Sequence, residues 1–154
     1  MSHVISETVI NGEKKTGNPE VLGFIERFIE HAGWGDVVPD YAYDTVRCLF
    51  RSGYCWHFAV MLRAVFERGK ICWAAPFGHM VWVDDDGLPY DIEGLYSGEA
   101  FWFIPIKYLG ESVEEFKHVN CSCEHISKAE IIDIMKKYCD DAGLDYEPKV
   151  EEYF

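Results

Sequence analysis

The sequence predicts a single α+β domain in which a helix packs on a small antiparallel sheet between flanking helices. Three observations predict it: helical periodicity up to residue 68, extended segments after residue 70, and turn-forming residues between those segments. A chain of 154 residues can bury one core and is too short for two. We assign the polar residues 1–17 to a flexible N-terminal segment and residues 18–154 to the domain.

Three helices are predicted in the first half of the chain, over residues 18–32, 40–51 and 54–68. Asn18 followed by Pro19 is typical of a helix start, because the amide side chain caps the helix and proline fits its first position. Gly69 follows the third helix and suits a left-handed helix terminus. The third helix therefore carries Cys55 in its first turn.

Extended segments are predicted over residues 71–75, 79–84, 88–93 and 101–106. Residues 85–87, Asp-Asp-Gly, are typical of a hairpin turn, so the second and third segments are expected to pair. Farther along, Ser112 with Glu115 and Ser127 with Glu130 have the spacing of capping boxes, which predicts a short helix and then a final helix. The third helix would thus lead directly into the sheet.

The net charge excludes several classes of partner. The chain has 14 Lys and Arg against 27 Asp and Glu, a formal charge of −13, which repels nucleic acid and anionic membranes. No apolar stretch approaches the ~20 residues of a membrane span, and the first 17 residues lack the apolar block of a secretory signal. We expect a cytoplasmic protein with reduced cysteines, whose negative surface favours a cationic peptide or protein substrate.

The residues suited to catalysis gather in the middle of the chain. Cys55 is placed where the N–H groups and positive end of a helix stabilise a thiolate. A thiolate nucleophile needs an imidazole partner and a third polar group that orients the imidazole. His79 opens one predicted strand and Asp91 lies in the next. Pairing centred between Asp85 and Asp86 brings Asp91 within one residue of lying opposite His79, a difference that a bulge or a register shift would supply.

These segments resemble a known family. GYCWHFA at residues 53–59 is similar to the G-x-C-W-x-F-A segment of the transglutaminases. HMVW at 79–82 resembles the family's histidine strand, and the Tyr-Asp pair at 90–91 resembles its aspartate strand, in the same order. Papain proteases share the cysteine segment, but their histidine lies ~130 or more residues later. Arylamine N-acetyltransferases have Phe-Glu where this chain has Trp56-His57.

The resemblance covers residues 40–95 and implies a papain-like catalytic core. It implies that Cys55 is the nucleophile, that His79 is the general base and acid, and that Asp91 orients His79. The implied activity is that of a thiol hydrolase, peptidase or acyltransferase that forms an acyl-enzyme on an amide or ester without a cofactor. The alternative is a non-enzymatic acidic interaction or inhibitor protein that occupies a basic groove on a partner.

Further candidates surround the predicted triad. Tyr54, Trp56 and Trp82 are the candidate substrate-binding residues, with core packing as the alternative for Trp56. His57 is predicted to be structural, because two residues rotate it by about 200° from Cys55. An oxyanion hole needs a donor besides the Cys55 N–H, and the chain has no Gln to supply one. The candidate donors are Trp34, Tyr41, Tyr43, Arg47 and Arg51.

A second group of side chains contains ligand types that zinc prefers: His118, Cys121, Cys123 and His125, with Cys139 in the following helix. Only one residue separates Cys121 from Cys123, whereas two residues usually separate the cysteines of a zinc knuckle. A second cysteine pair is also missing, so we expect a plain loop without metal. Residues 84–86, Asp-Asp-Asp, lack the alternating acids of a calcium loop and predict a solvated hairpin tip.

Overall fold

The computed structural model describes residues 4–34, 43–75, 78–98, 102–110 and 128–141. Its helices are α1 (Pro19–His31), α2 (Tyr43–Ser52), α3 (Cys55–Phe66) and α4 (Lys128–Asp141), with a 3₁₀ turn at Ile106–Tyr108. Its strands are β1 (Glu7–Ile10), β2 (Glu13–Thr16), β3 (Lys70–Ala75), β4 (His79–Val83), β5 (Pro89–Asp91), β6 (Gly94–Leu95) and β7 (Trp102–Pro105). This order confirms the predicted α+β class.

Five strands form one antiparallel sheet in the order β6-β5-β4-β3-β7. Helix α3 packs against β4 and shares a buried cluster with Met80 and Trp82, which lie on the helix-facing side of that strand. Alternate residues of a strand point to opposite faces, and Val81 accordingly belongs to a smaller cluster on the other face. The sheet thus has one face on the main core and one face with a satellite cluster.

Aromatic rings join the four helices. Phe28 of α1 is fully buried, and its ring centroid lies 5.5 Å from Phe50 of α2, 5.4 Å from Phe58 of α3 and 5.4 Å from Tyr138 of α4. The contacts with Phe50 and Tyr138 are edge to face and the contact with Phe58 is tilted, and aromatic pairs at such distances stabilise a core beyond the area that they bury. The apolar positions that predicted α1 from the sequence therefore form the contacts that hold α3 in place.

The predicted helix ends differ in one respect. Asn18 caps α1 as predicted, since its Oδ1 accepts a hydrogen bond from the Glu20 N–H at 2.8 Å. Helix α3 ends at Phe66, and its C-cap Glu67, two residues before Gly69, takes the left-handed conformation with φ of 54°. Gly69 has another role, because a side chain at that position would collide with the backbone carbonyl of Val83.

Strands β1 and β2 form a hairpin in the segment that the sequence predicts to be flexible. Asn11 and Gly12 have φ of 51° and 82°, and positive φ at both central residues is typical of a tight hairpin turn with the Asn-Gly sequence. The chain just before β1 also joins the sheet, since the Ile5 N–H donates to the Glu93 carbonyl at 2.7 Å and the Leu95 N–H donates to the Ile5 carbonyl at 2.9 Å. The prediction of a flexible N-terminal segment is therefore wrong from residue 4 onward.

The hairpin tip between β4 and β5 is only partly solvated. Asp85 and Asp86 are exposed as predicted, but Asp84 is buried. The Asp84 carboxylate accepts hydrogen bonds from the N–H groups of Asp86 and Leu88 at 3.0 and 2.9 Å. A short acid at the start of a turn commonly caps the turn in this way. Asp84 therefore fixes the turn that aligns β4 with β5.

Some predicted features lie outside the described residues, including the capping box at Ser112 and Glu115 and the zinc-type group at residues 118–125. Within the described ranges, no helix combines the length and the apolar character that crossing a membrane requires.

Candidate functional site

His79 and Asp91 form a hydrogen-bonded pair at the end of the sheet. The Nε2 atom of His79 lies 2.9 Å from Oδ2 of Asp91. Their side chains are 17% and 8% exposed, so the pair is largely shielded from water. This geometry allows the carboxylate to hold the imidazole in one orientation and one tautomer.

The register of the β4–β5 hairpin explains why these side chains meet. Val83 pairs with Pro89, which is one residue further along β5 than pairing centred between Asp85 and Asp86 would give. Continuing this register places Asp91 beside Val81, on the sheet face that His79 shares. This register places Glu93 opposite His79, so Asp91 lies two residues from the facing position, one more than predicted. Asp91 meets His79 as a diagonal neighbour on the same face of the sheet.

Cys55 is the first residue of α3, and its side chain interacts with His79 by hydrogen bonding. Cys55 is partly exposed. Tyr54, the residue that precedes the helix, makes no side-chain capping bond. Backbone N–H groups in the first turn of a helix have no partner within that helix, so they and the positive end of the helix are directed toward the thiol. The structure brings together all three predicted catalytic residues.

Two further residues fix the orientation of the pair. The Oδ1 atom of Asp91 accepts a hydrogen bond from the Glu93 N–H at 2.9 Å, so both carboxylate oxygens are held. The ring of Tyr96 stacks on the imidazole of His79, with centroids 5.7 Å apart and planes inclined by 21°. His79 is thus restrained by a carboxylate at its Nε2 edge and by an aromatic ring at its face.

The surroundings of His79 favour the imidazolium form. Burial by itself lowers the pKa of His79, but hydrogen bonds to Asp91 and Cys55, together with their charges, outweigh burial and raise the pKa from 6.5 to about 10. Opposite charges within hydrogen-bond distance stabilise a charged imidazole in this way. At neutral pH His79 therefore carries a proton.

A cavity of about 230 Å³ opens beside the pair. Its lining consists of Arg51, His79, Asp91, Glu93, Tyr96, Ser97 and Gly98. Helix α2 contributes two cations here, because Arg47 Nη2 and Arg51 Nη1 both donate to Oε1 of Glu93, at 2.9 and 3.4 Å. The site thus combines the thiol of Cys55, the imidazole of His79 and a polar cavity beside the imidazole.

A family model described as Phage YunG-like protein matches residues 35–140, more than half of the chain. The chain belongs to the Phage YunG-like family. A search of curated proteins and a search of solved structures each found no match. The part of this YunG-like protein that the family model matches includes Cys55, His79 and Asp91.

The candidate substrate-binding residues of the YunG-like protein lie in the core. Tyr54, Trp56 and Trp82 are 4%, 1% and 0% exposed. The Trp82 indole N–H donates to the carbonyl of Arg68 at 2.8 Å, and its ring stacks on Phe66 at 5.4 Å. We correct these three assignments, because side chains with almost no accessible surface do not contact a substrate. Their aromatic character reflects packing between α3 and the sheet.

His57 agrees with its predicted role, whereas Trp34 does not act as an oxyanion donor. His57 is fully buried, with its ring 5.2 Å from the ring of Tyr54, as expected for a structural residue. Among the candidate oxyanion donors, Trp34 is buried and donates to the Phe28 carbonyl at 3.1 Å, so it serves the core. The side chains of Tyr41 and Tyr43 lie outside the described part of the YunG-like protein.

Two other cysteines contrast with Cys55. Cys72 and Cys139 are buried, and burial raises their pKa values to about 11 and about 12. Buried thiols of this kind are inert. Cys48 is exposed on α2, while Cys121 and Cys123 lie outside the described residues. Cys55 is the described cysteine that combines partial exposure with an imidazole partner.

Sequence reasoning missed Tyr96, Ser97 and Glu93. Asp91 pairs with Gly94 across the tight β5–β6 turn, and Gly94 has φ of 102°. The Gly at residue 94 was the available signal, because positive φ at a turn favours glycine. A second turn there returns the chain beside β5 and brings Tyr96 over His79.

Proposed function

We propose that this YunG-like protein is a cysteine-nucleophile enzyme that forms an acyl-enzyme on an amide or ester substrate. The observation that carries the proposal is the chain of interactions from Cys55 through His79 to Asp91, with 2.9 Å between Nε2 and Oδ2. The similarity of GYCWHFA and HMVW to the transglutaminases supports the same assignment. We include a papain-like core in the proposal, since a nucleophile helix packed on an antiparallel sheet agrees with one.

The raised pKa of His79 suggests where the proton of the pair resides. With a pKa of about 10, His79 holds a proton at neutral pH, and in the proposed mechanism Cys55 reacts in its thiolate form. The Cys55 Sγ attacks the carbonyl carbon, and the carbonyl electron pair moves to the oxygen. As that pair returns, the bond to the leaving group breaks, and His79 donates its proton to the departing amine or alcohol.

A second substrate resolves the acyl-enzyme. Water or an amine attacks the thioester carbonyl while His79 accepts its proton, the carbon–sulfur bond breaks, and the thiolate returns. Asp91 contacts no reacting atom and positions the imidazole through both steps. The Cys55 N–H at the start of α3 is the first donor for the oxyanion, because helix-terminal N–H groups favour negative charge.

Alkylation by iodoacetamide tests the thiolate directly. We expect Cys55 to react rapidly below pH ~7, whereas an unperturbed thiol titrates near ~8.5. Peptide mapping gives the rate at each cysteine, so exposed Cys48 and buried Cys72 serve as internal references. His79→Ala should slow the reaction of Cys55 and leave Cys48 unchanged. A Cys55 that reacts no faster than Cys48 at acidic pH would overturn the proposal.

Hydrolysis of a neutral activated ester tests the chemistry that follows. Parent protein should cleave p-nitrophenyl valerate with a burst of p-nitrophenolate, because an activated ester acylates the thiol faster than water resolves the acyl-enzyme. Cys55→Ala should abolish the burst while the circular dichroism spectrum and melting temperature remain those of the parent. Cleavage that persists in Cys55→Ala would contradict the mechanism and favour the alternative of an acidic interaction protein.

A further inference from the structure

Helix α2 presents two arginines to the same carboxylate oxygen beside the proposed catalytic site. Arg47 and Arg51 are four residues apart, which places them on one face of the helix. Arg47 Nη2 and Arg51 Nη1 lie 2.9 and 3.4 Å from Oε1 of Glu93. Like charges at this spacing repel, and the single carboxylate of Glu93 neutralises only one of them. One positive charge is therefore in excess.

The two arginines differ in exposure and contacts. Arg47 is 24% exposed and makes the shorter bond, so it accounts for holding Glu93 and, through the Glu93 N–H, the carboxylate of Asp91. Arg51 is 54% exposed, makes the longer bond, and lines the cavity with His79 and Asp91. Positioning Glu93 does not require a second guanidinium. The donors of Arg51 remain accessible from the cavity.

The cavity is less acidic than the chain as a whole. The protein carries −13, which repels anions from most of its surface. Among the described residues at the cavity and their ion-pair partners, Arg47, Arg51 and protonated His79 face Asp91 and Glu93. During acylation His79 gives its proton to the leaving group. In the acyl-enzyme the two guanidinium groups therefore balance the two carboxylates, so a substrate carboxylate beside Arg51 enters a locally neutral site on an acidic protein.

We infer that Arg51 binds a carboxylate of the substrate, and that the acyl groups accepted at Cys55 carry a second carboxylate a few bonds from the reacting carbonyl. This inference rests on the proposed function and names its substrate class. It also refines the expectation from net charge, since a cationic partner suits the outer surface and an anionic acyl group suits the cavity. A guanidinium matches a carboxylate with two parallel hydrogen bonds.

The cavity beside His79 has room for a short acyl chain. Its volume of about 230 Å³ corresponds to about seven or eight water molecules at ~30 Å³ each. An acyl group of five carbons, such as glutaryl, fits within that volume. In the transfer step the Cys55 Sγ forms a bond to the glutaryl carbonyl carbon, the ester bond breaks, and His79 protonates the leaving oxygen, while Arg51 holds the distal carboxylate without reacting.

Two esters of equal chain length test the inference. p-Nitrophenyl glutarate and p-nitrophenyl valerate share five acyl carbons and a leaving group, and differ in a terminal carboxylate against a methyl group. We expect kcat/KM for glutarate to exceed that for valerate by about tenfold in the parent, because a charge-assisted hydrogen bond orients the acyl chain. Arg51→Gln should reduce that ratio by about tenfold, and Arg51→Lys should retain part of it.

A matched control separates local from general charge effects. Arg63→Gln removes the same charge from α3 at a different cavity, and should leave the glutarate-to-valerate ratio unchanged. The parent ratio should also fall with added salt, because the Debye length shortens from about 10 Å at 0.1 M to about 3 Å at 1 M. Cys55-dependent cleavage with no preference in the parent, or with the same preference in Arg51→Gln, would overturn the carboxylate site and leave the proposed function standing.

A second measurement needs no turnover. Glutaramate, the monoamide of glutarate, should protect Cys55 from iodoacetamide more strongly than valeramide, which has no carboxylate, and Arg51→Gln should remove the difference. If neither ester shows Cys55-dependent cleavage, the proposed function fails, and selective protection by glutaramate would then support the anion site alone. Equal protection by the two amides would overturn the site whatever the outcome with the esters.

Discussion

The backbone N–H of Glu93 donates to Oδ1 of Asp91 at 2.9 Å, so the residue whose side chain holds Arg47 and Arg51 also fixes the carboxylate that orients His79. Glu93 receives the ion pairs from α2, and Asp91, two residues earlier, receives the hydrogen bond from His79 of β4. The two interactions are thus linked through the Asp91–Glu93 segment. Changes to this segment are expected to affect both the orientation of the imidazole and the charge of the cavity.

Asp91→Asn tests the orienting role. Asn has nearly the shape of Asp but loses the negative charge and presents an N–H₂ group, so His79 loses its fixed tautomer. We expect kcat/KM on p-nitrophenyl valerate to fall about a hundredfold or more, with little loss of stability. Asp86→Asn, at the exposed hairpin tip, is the matched control. Equal rates in the two variants would remove Asp91 from the mechanism.

Glu93→Gln tests how the cavity charge is set. The change keeps the backbone bond to Asp91 but removes the carboxylate shared by Arg47 and Arg51. Arg51 then has no competing anion, so the glutarate-to-valerate ratio of kcat/KM should rise above that of the parent. Steady-state kinetics on the two esters measure it. A ratio that falls would mean that Glu93 aims Arg51 instead of competing for it.

The raised pKa of His79 predicts a pH dependence of stability. The folded state binds the proton more tightly than the unfolded state, so this contribution is complete below pH 6.5 and is lost as the pH rises toward about 10. We expect the parent's advantage in free energy of unfolding over His79→Gln to decrease between pH 6.5 and 8.5. Urea unfolding at three pH values in this range measures it. A pH-independent difference would show that the Cys55–His79 pair binds no net excess proton in the folded state.

Trp82→Phe tests the assignment of Trp82 to the core. Phe retains most of the buried ring but leaves the carbonyl of Arg68 without the indole N–H, which we expect to cost about 1–2 kcal/mol of unfolding free energy. Ester cleavage by the folded variant should match the parent, because Trp82 has no accessible surface. Trp102→Phe, at a side chain that is 65% exposed, should change neither property. A specific loss of activity in Trp82→Phe would restore its role in substrate binding.

The sequence predicted the elements whose signals are local. Asn18 and Pro19 marked the start of α1, and residues 85–87 marked the hairpin that joins β4 to β5. The turn position was enough to predict that β4 and β5 pair. His79 and Asp91 were therefore expected to be neighbours before the register of the two strands was known. The hairpin of β1 and β2 also had a local signal, the Asn-Gly pair at residues 11 and 12, but the polar composition around it was interpreted as flexibility.

The rest of the site depends on contacts between distant segments. Glu93 meets Arg47 only because α2 docks beside the β5–β6 turn, and no local pattern encodes that docking. Trp56 follows Cys55 directly, yet one residue turns a helix by about 100°, and that rotation directs Trp56 into the core. Proximity in sequence to a nucleophile was thus a poor guide to substrate contact.

The hydrogen bonds of Ile5 have a consequence for self-association. Ile5 forms a parallel bridge with Gly94, so the chain ahead of β1 covers the outer side of β6, where a sheet would otherwise offer unpaired N–H and C=O groups. Such an uncovered strand is a template for pairing with a second molecule. Removing the residues up to Ser6 would therefore leave the edge of β6 unpaired. The N-terminal segment thus protects the sheet from pairing with a second copy of the protein.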